Sequence, residues 1–169
     1  MNKGFWSAQE RKLHASTNIS DILFCVHLGD GMDAQMFLHG ICGVFALALH
    51  RRFGYCMHAY YTVVPAEGAA DNDETEQVLC HIFCTHSPYA GNDSFFIDVR
   101  GVTTEKESFY TEFDDFFDGA ELLDTFLMDA PEEWVLSLLE KDGIAGSVFE
   151  SYFAAVNSLI DEHIEYYSV

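Results

Sequence analysis

Apolar positions recur along this chain at two different periods. From Gly40 to Phe53 the run Gly-Ile-Cys-Gly-Val-Phe-Ala-Leu-Ala-Leu-His-Arg-Arg-Phe sets Phe45, Leu49 and Phe53 at helical spacing after Cys42, and Ala46 and Ala48 add strong helix formers. This predicts a mostly buried helix that ends at Gly54 and carries Cys42 on its first turn. Next, His58-Ala-Tyr-Tyr-Thr-Val-Val is rich in β-branched and aromatic residues and predicts a strand stopped by Pro65. A polar loop, Ala66 to Glu76, leads to a second strand, Val78 to His86. The turn Ser87-Pro-Tyr-Ala-Gly-Asn-Asp then joins it to a third strand, Ser94 to Arg100, closed by Gly101. So short a connection bearing Gly and Pro predicts an antiparallel hairpin.

The rest of the chain reads as helical. Ala120 to Met128 is expected to form one short helix, and Pro131, followed by Glu132 and Glu133, opens another that runs to about Lys141 and stops at Gly143. A last helix from Ser147 to about Tyr166 carries Phe149, Tyr152, Phe153, Val156, Leu159, Ile160 and Ile164 on one stripe. At the other end, residues 1–17 have weak periodicity, with Phe5 and Trp6 as anchors. The run Asp21 to Leu28 fits a short helix or a buried strand, and Gly29 to Met36 reads as a turn. No repeat or linker divides the chain. The pattern predicts one α+β domain over residues 1–169, with a cysteine-bearing helix packed on a small antiparallel sheet and helices after it.

Composition narrows the setting. Hydrophobic residues make up 49% of the 169, enough for a full core, and no apolar stretch approaches membrane-spanning length. Neither a signal peptide nor a transmembrane helix is expected, which points to the cytoplasm. The five cysteines, Cys25, Cys42, Cys56, Cys80 and Cys84, are odd in number and sit in apolar surroundings, as suits reduced thiols. Net charge is −20, and it is uneven: residues 1–60 hold five Lys/Arg against four Asp/Glu, and residues 61–169 hold three against twenty-four. Such a field argues against direct nucleic-acid binding and against anionic membranes, and it favours a basic protein partner.

Cys42 is the first candidate for chemistry. Unpaired N–H groups and the positive end of the dipole at a helix start favour a thiolate, and Gly40 and Gly43 beside it are expected to leave room for a substrate carbonyl. A nucleophile needs a base and a group to orient that base. Strand alternation puts His81, Phe83 and Thr85 on one face of the second strand, with Cys80, Ile82, Cys84 and His86 on the other. In the third strand Phe96 and Asp98 share a face. A register that sets His81 beside Asp98 would let the carboxylate hold one ring nitrogen and leave the other for the cysteine.

The ordered set Gly-Ile-Cys-Gly-Val-Phe-Ala-Leu-Ala-Leu-His, His-Ile-Phe-Cys and Phe-Ile-Asp-Val-Arg-Gly resembles the core of papain-like cysteine proteins, notably compact bacterial and phage members related to cell-wall amidopeptidases. The resemblance spans about residues 38–103 and leaves the acidic part, about 105–169, outside it. It implies Cys42 as nucleophile, His81 as general base and Asp98 as the orienting acid, acting on an amide bond in a protein or peptide substrate. Peptidase, amidase, glutamine deamidase and acyl-transferase chemistry share that first step. The Cys42 backbone N–H would stabilise the oxyanion. Gln35, one residue off the family's usual spacing, would be a second donor.

Each of these residues has a plainer reading. Cys42 can be a small core residue, His81 a core histidine, and Asp98 a strand-end partner for Arg100. A zinc site from Cys80, Cys84 and His86, or from Cys56 and His58, lacks knuckle spacing, so no metal or cofactor is expected. The alternative function is an acidic binding or inhibitor protein, a nucleic-acid mimic built on an inactive papain-like scaffold. Its evidence is the recurrence of acids such as Asp114, Asp115, Asp118, Glu121 and Asp124 among Phe113, Phe116 and Phe117.

Overall fold

A computed structural model describes residues 34–66, 74–87, 94–115 and 123–169. The expectations for residues 1–33, for most of the loop after Ala66 and for the turn after Ser87 lie outside the described residues. A 3₁₀ turn, Ala34–Phe37, leads to α1 (Cys42–Phe53). β1 (Cys56–Pro65), β2 (Thr75–His86), β3 (Phe95–Asp98), β4 (Gly101–Thr103), α2 (Lys106–Asp115), β5 (Asp124–Asp129), α3 (Glu132–Lys141), α4 (Gly146–Glu162) and α5 (Ile164–Tyr167) follow. The strands form one five-stranded antiparallel sheet in the order β4-β3-β2-β1-β5. The fold is α+β, and the expected hairpin is the β2–β3 pair.

One element departs from the pattern. Residues 120–122 of the helix expected over Ala120–Met128 lie outside the described residues, and residues 124–128 instead belong to the edge strand β5, which pairs along β1 from Val63↔Asp124 to His58↔Asp129. Leucines and Met128 favour a helix locally, but tertiary pairing wins. Phe126 stacks on Tyr61 with ring centroids 5.2 Å apart, and Pro131 biases Ala130 toward extended backbone. Two smaller differences concern ends. The third strand closes at Asp98, and Gly101 opens a further strand after a tight turn. The last helix breaks at His163, so that α4 and α5 are separate.

The sheet is covered on both faces. On one lies α1, whose residues from Cys42 to Leu49 are all buried because the helix is enclosed by β2 below and by α3 and α4 above. Cys84 Sγ donates to the Ala46 carbonyl at 3.3 Å, fixing α1 against β2. Arg51 pairs with Glu132 and Arg52 with Asp161, which tie the solvent end of α1 to α3 and α4. Exposed pairs of this kind contribute about 0–1 kcal/mol each, so the packing decides the arrangement. On the other face α2 lays Phe109, Tyr110 and Phe113 over Tyr60, His81, Phe83 and Phe96.

Gly40 and Gly43 play different parts from the shared one expected of them. Among the described residues nothing lies within 4 Å of a Cβ built at Gly40, whereas one at Gly43 would meet Val135 Cγ1 at 3.1 Å, Ile82 Cδ1 at 3.4 Å and Leu139 Cδ2 at 3.6 Å. Gly43 lets α1, α3 and β2 approach one another and leaves no room for substrate. Gly43→Ala would gain about 1 kcal/mol of helix propensity and lose about 1–3 kcal/mol to overpacking, so its thermal midpoint should fall. Thermal unfolding of Gly43→Ala, Val135→Ala and the double variant checks this. The double variant should lose less stability than the two singles added together, whereas strict additivity would deny the close contact.

Candidate active site

The local cause of the site is a break in the sheet. β3 pairs with β2 through Cys84↔Ile97, Thr85↔Phe96 and His86↔Phe95, and continuing that register would set Ile82 opposite Val99. The chain turns there instead. Gly101, at φ 96°, takes a backbone conformation that a side chain would strain, and its Cβ would come within 3.2 Å of the Tyr166 carbonyl oxygen. The Val99 carbonyl accepts from Tyr167 Oη at 2.9 Å. With no β3 partner, the Ile82 N–H donates to Cys42 Sγ at 3.3 Å. Backbone N–H groups of a strand lie in the plane of the sheet, so the sulfur sits at the open edge of β2, where it can reach groups from either face.

A second irregularity aims His81. Tyr60 opposes His81 but Tyr61 opposes Leu79, so Cys80 is the extra residue of a β-bulge. From His81 onward the alternation expected from sequence holds, with His81 and Phe83 toward α2. Asp98 is diagonal to His81, not directly opposite it, since the register carried on would pair Asp98 with Phe83. The diagonal is short enough: His81 Nε2 lies 2.9 Å from Asp98 Oδ2. A carboxylate only accepts, so this bond keeps the proton on Nε2 and leaves the Nδ1 lone pair for another group. Among the described residues the buried Nδ1 makes no hydrogen bond, with Cys42 Sγ or with any other group, and Cys42 enters through its influence on the ring's proton affinity.

All three groups are inside the protein: Cys42 is 7% exposed, His81 0% and Asp98 2%. Phe113 stacks on the imidazole at 4.2 Å with planes 20° apart. Burial disfavours the imidazolium, but hydrogen bonding and charge from Asp98 and Cys42 outweigh it and raise His81 above its ordinary value. Burial likewise opposes the Asp98 charge. The Arg100 guanidinium and His81 more than offset it and hold the carboxyl well below the usual carboxylate range.

The start of α1 also suits a charged sulfur or oxygen. Ile41 occupies the N-cap with no side-chain cap, and the first turn carries no acid. Gln35 lies in the 3₁₀ turn, but its side chain is outside the described part of the structure. Among the described residues no group of three or more His, Cys, Asp or Glu is placed to hold a metal ion. Cys42, Cys56 and Cys84 are free thiols.

Sequence reasoning missed Arg100 as part of the site, treating its pairing with Asp98 as a rival to the triad. The structure contains both contacts at once. Phe109 and Phe113, whose rings lie against the imidazole, could have been suspected only from their aromatic character. Comparison with protein-family models, with curated proteins and with solved structures finds no match to this chain.

The charge on Asp98 has a defined pH signature. Because its folded value is depressed, its contribution is present above the ordinary carboxylate value of about 4 and is lost as pH falls through the folded value. Asp98→Asn removes the buried counter-charge of Arg100 and should cost about 3–5 kcal/mol at pH 7. Urea unfolding of both proteins should show that deficit narrowing below about pH 4. A deficit that stays constant with pH would mean that packing, not charge, underlies it.

Proposed function

We propose that the protein is a thiol-dependent hydrolase or acyl transferase that acts on an amide bond through Cys42, His81 and Asp98. One observation carries the reading. His81 gives Nε2 to Asp98 at 2.9 Å while its buried Nδ1 is left without a hydrogen bond among the described residues, and Cys42 is one of the two residues that raise the ring's proton affinity. A histidine serving only the core would be expected to satisfy both ring nitrogens.

The chemistry follows from these atoms. His81 Nδ1 takes the thiol proton, and the sulfur attacks the substrate carbonyl carbon to give a tetrahedral oxyanion. The Cys42 backbone N–H, at the uncapped start of α1, is on hand to stabilise it. As the carbon–nitrogen bond breaks, the Nδ1 proton goes to the leaving amine, and a thioester remains on Cys42. Water, deprotonated by His81, then releases the carboxylic acid and restores the thiol; another amine in place of water gives transfer. Asp98 stays ionised throughout and holds the imidazole in one tautomer. Peptidase, amidase and glutamine deamidase activities differ only in what the amine belongs to.

A second reading has its own support. His81 and Cys42 are buried beneath an aromatic layer, while Glu133, Glu140, Glu150, Asp161, Glu162 and Glu165 stand exposed on or beside α3, α4 and α5. An acidic binding or inhibitor protein, docking a basic partner or imitating a nucleic acid, would use the second feature and need nothing of the first.

Alkylation separates the two. Iodoacetamide labelling followed by peptide mass spectrometry should show that His81→Ala slows Cys42 at least tenfold, on the scale of lost general-base catalysis, and leaves exposed Cys56 unchanged. Equal effects on both thiols, or none on Cys42, would contradict the enzymatic reading.

A further inference from the structure

Arg100 does more than neutralise an acid. Its Nε lies 3.1 Å from Asp98 Oδ1 and 3.0 Å from Oδ2, its terminal nitrogen reaches Oδ2 at 2.7 Å, and its own backbone N–H donates to Oδ1 at 2.8 Å. The same terminal nitrogen donates to the Phe109 carbonyl of α2 at 3.1 Å. The guanidinium carbon stands 4.5 Å from the ring centroid of Phe109 and 5.1 Å from that of Phe113. Its side chain is only 6% exposed. The arginine therefore grips both oxygens of the acid that orients His81 and also the helix that covers His81.

From this geometry, and resting on the thiol reading above, we infer that Arg100 is a positioning residue of the reaction: it fixes the Asp98 carboxylate toward His81 and sets the pH at which the imidazole gives up its proton. A planar fork on a carboxylate defines the carboxylate's orientation in a way that a point charge does not. It also supplies a buried positive charge beside the imidazole, which favours the neutral ring that must accept the thiol proton. Without it, the imidazole would be drawn further toward its protonated, base-incompetent form.

Other groups around the acid do not supply that charge. Cys42 approaches from α1, and burial, with the Asp98 charge adding to it, makes Cys84 of β2 and Tyr167 of α5 hold their own protons more tightly. α2 faces the cluster with Phe109 and Phe113, and β1 sets Tyr60 across from His81. Among the described residues Arg100 is the Lys or Arg side chain in contact with Asp98.

The test is an NMR titration of the His81 ring nitrogens in the full chain, with the pH profile of Cys42 alkylation recorded in parallel. Arg100→Gln should shift the His81 midpoint upward by about one unit or more, and the rising limb of Cys42 alkylation should move the same way. Arg100→Lys keeps the charge but can no longer hold both oxygens, so its midpoint should lie above wild type and below Arg100→Gln. If the glutamine variant does not fold, the lysine variant decides alone: an upward shift supports the assignment, and a midpoint at or below wild type overturns it. Unmoved profiles in a folded Arg100→Gln protein, with His81→Ala still slowing Cys42, would make Arg100 a structural tie only. No slowing by His81→Ala would fail the thiol reading itself, whatever Arg100 does.

Discussion

The β2–β3 ladder stops at the Cys84↔Ile97 pair, one residue before β3 ends at Asp98, and the rest of the site depends on that stop. Had β3 run on, Ile82 would have been held by the backbone of Val99 and the sulfur of Cys42 would have had no place at the sheet edge. Because the chain turns at Val99 and Arg100, the freed N–H takes the sulfur, and Asp98 ends its strand on the diagonal from His81. The turn is held from outside. Gly101 allows the backbone to reverse against Tyr166, and Tyr167 occupies the Val99 carbonyl. Tyr55 Oη in turn donates to the Tyr167 carbonyl at 3.0 Å, so the residues after α1 and those of α5 brace the same corner.

The interior charges make sense only as a set. Arg100 and Asp98 neutralise each other, and a proton passed from Cys42 to His81 would add one charge of each sign with no net change. An isolated buried ion would cost several kcal/mol, and a balanced cluster with its hydrogen bonds made avoids most of that. The aromatic layer of α2 supplies the low-dielectric surroundings in which these charges act strongly on one another. The same layer covers His81, so the features that tune the imidazole are also those that shield it.

Much of this was legible in the residues. Helical spacing from Cys42 to Phe53 identified α1, and β-branched and aromatic runs identified β1, β2 and β3, because those signals are strong and local. Alternation in β2 from His81 onward gave the face of the imidazole correctly. What escaped is non-local. Asp124–Asp129 became a strand through pairing with β1 and stacking on Tyr61, which its own leucines do not announce. The bulge at Cys80 and the diagonal placement of Asp98 depend on where two ladders begin and end. Gly43 looked like space beside a sulfur, and its neighbours Val135 and Leu139 lie more than ninety residues away in sequence. Arg100 was visible two positions after Asp98, but only the tertiary fold shows that pairing with it leaves Asp98 Oδ2 available to His81.

The central claim is that Cys42 and His81 share a proton across the edge of the sheet. The most direct measurement is the titration midpoint of His81, followed by NMR, in the unmodified chain and in Cys42→Ala. If the thiol partners the imidazole, removing the sulfur removes a group that favours the imidazolium, and the midpoint should fall. An unchanged or higher midpoint would show that His81 answers only to Asp98 and Arg100, and the cysteine would then be a core residue at the start of a helix.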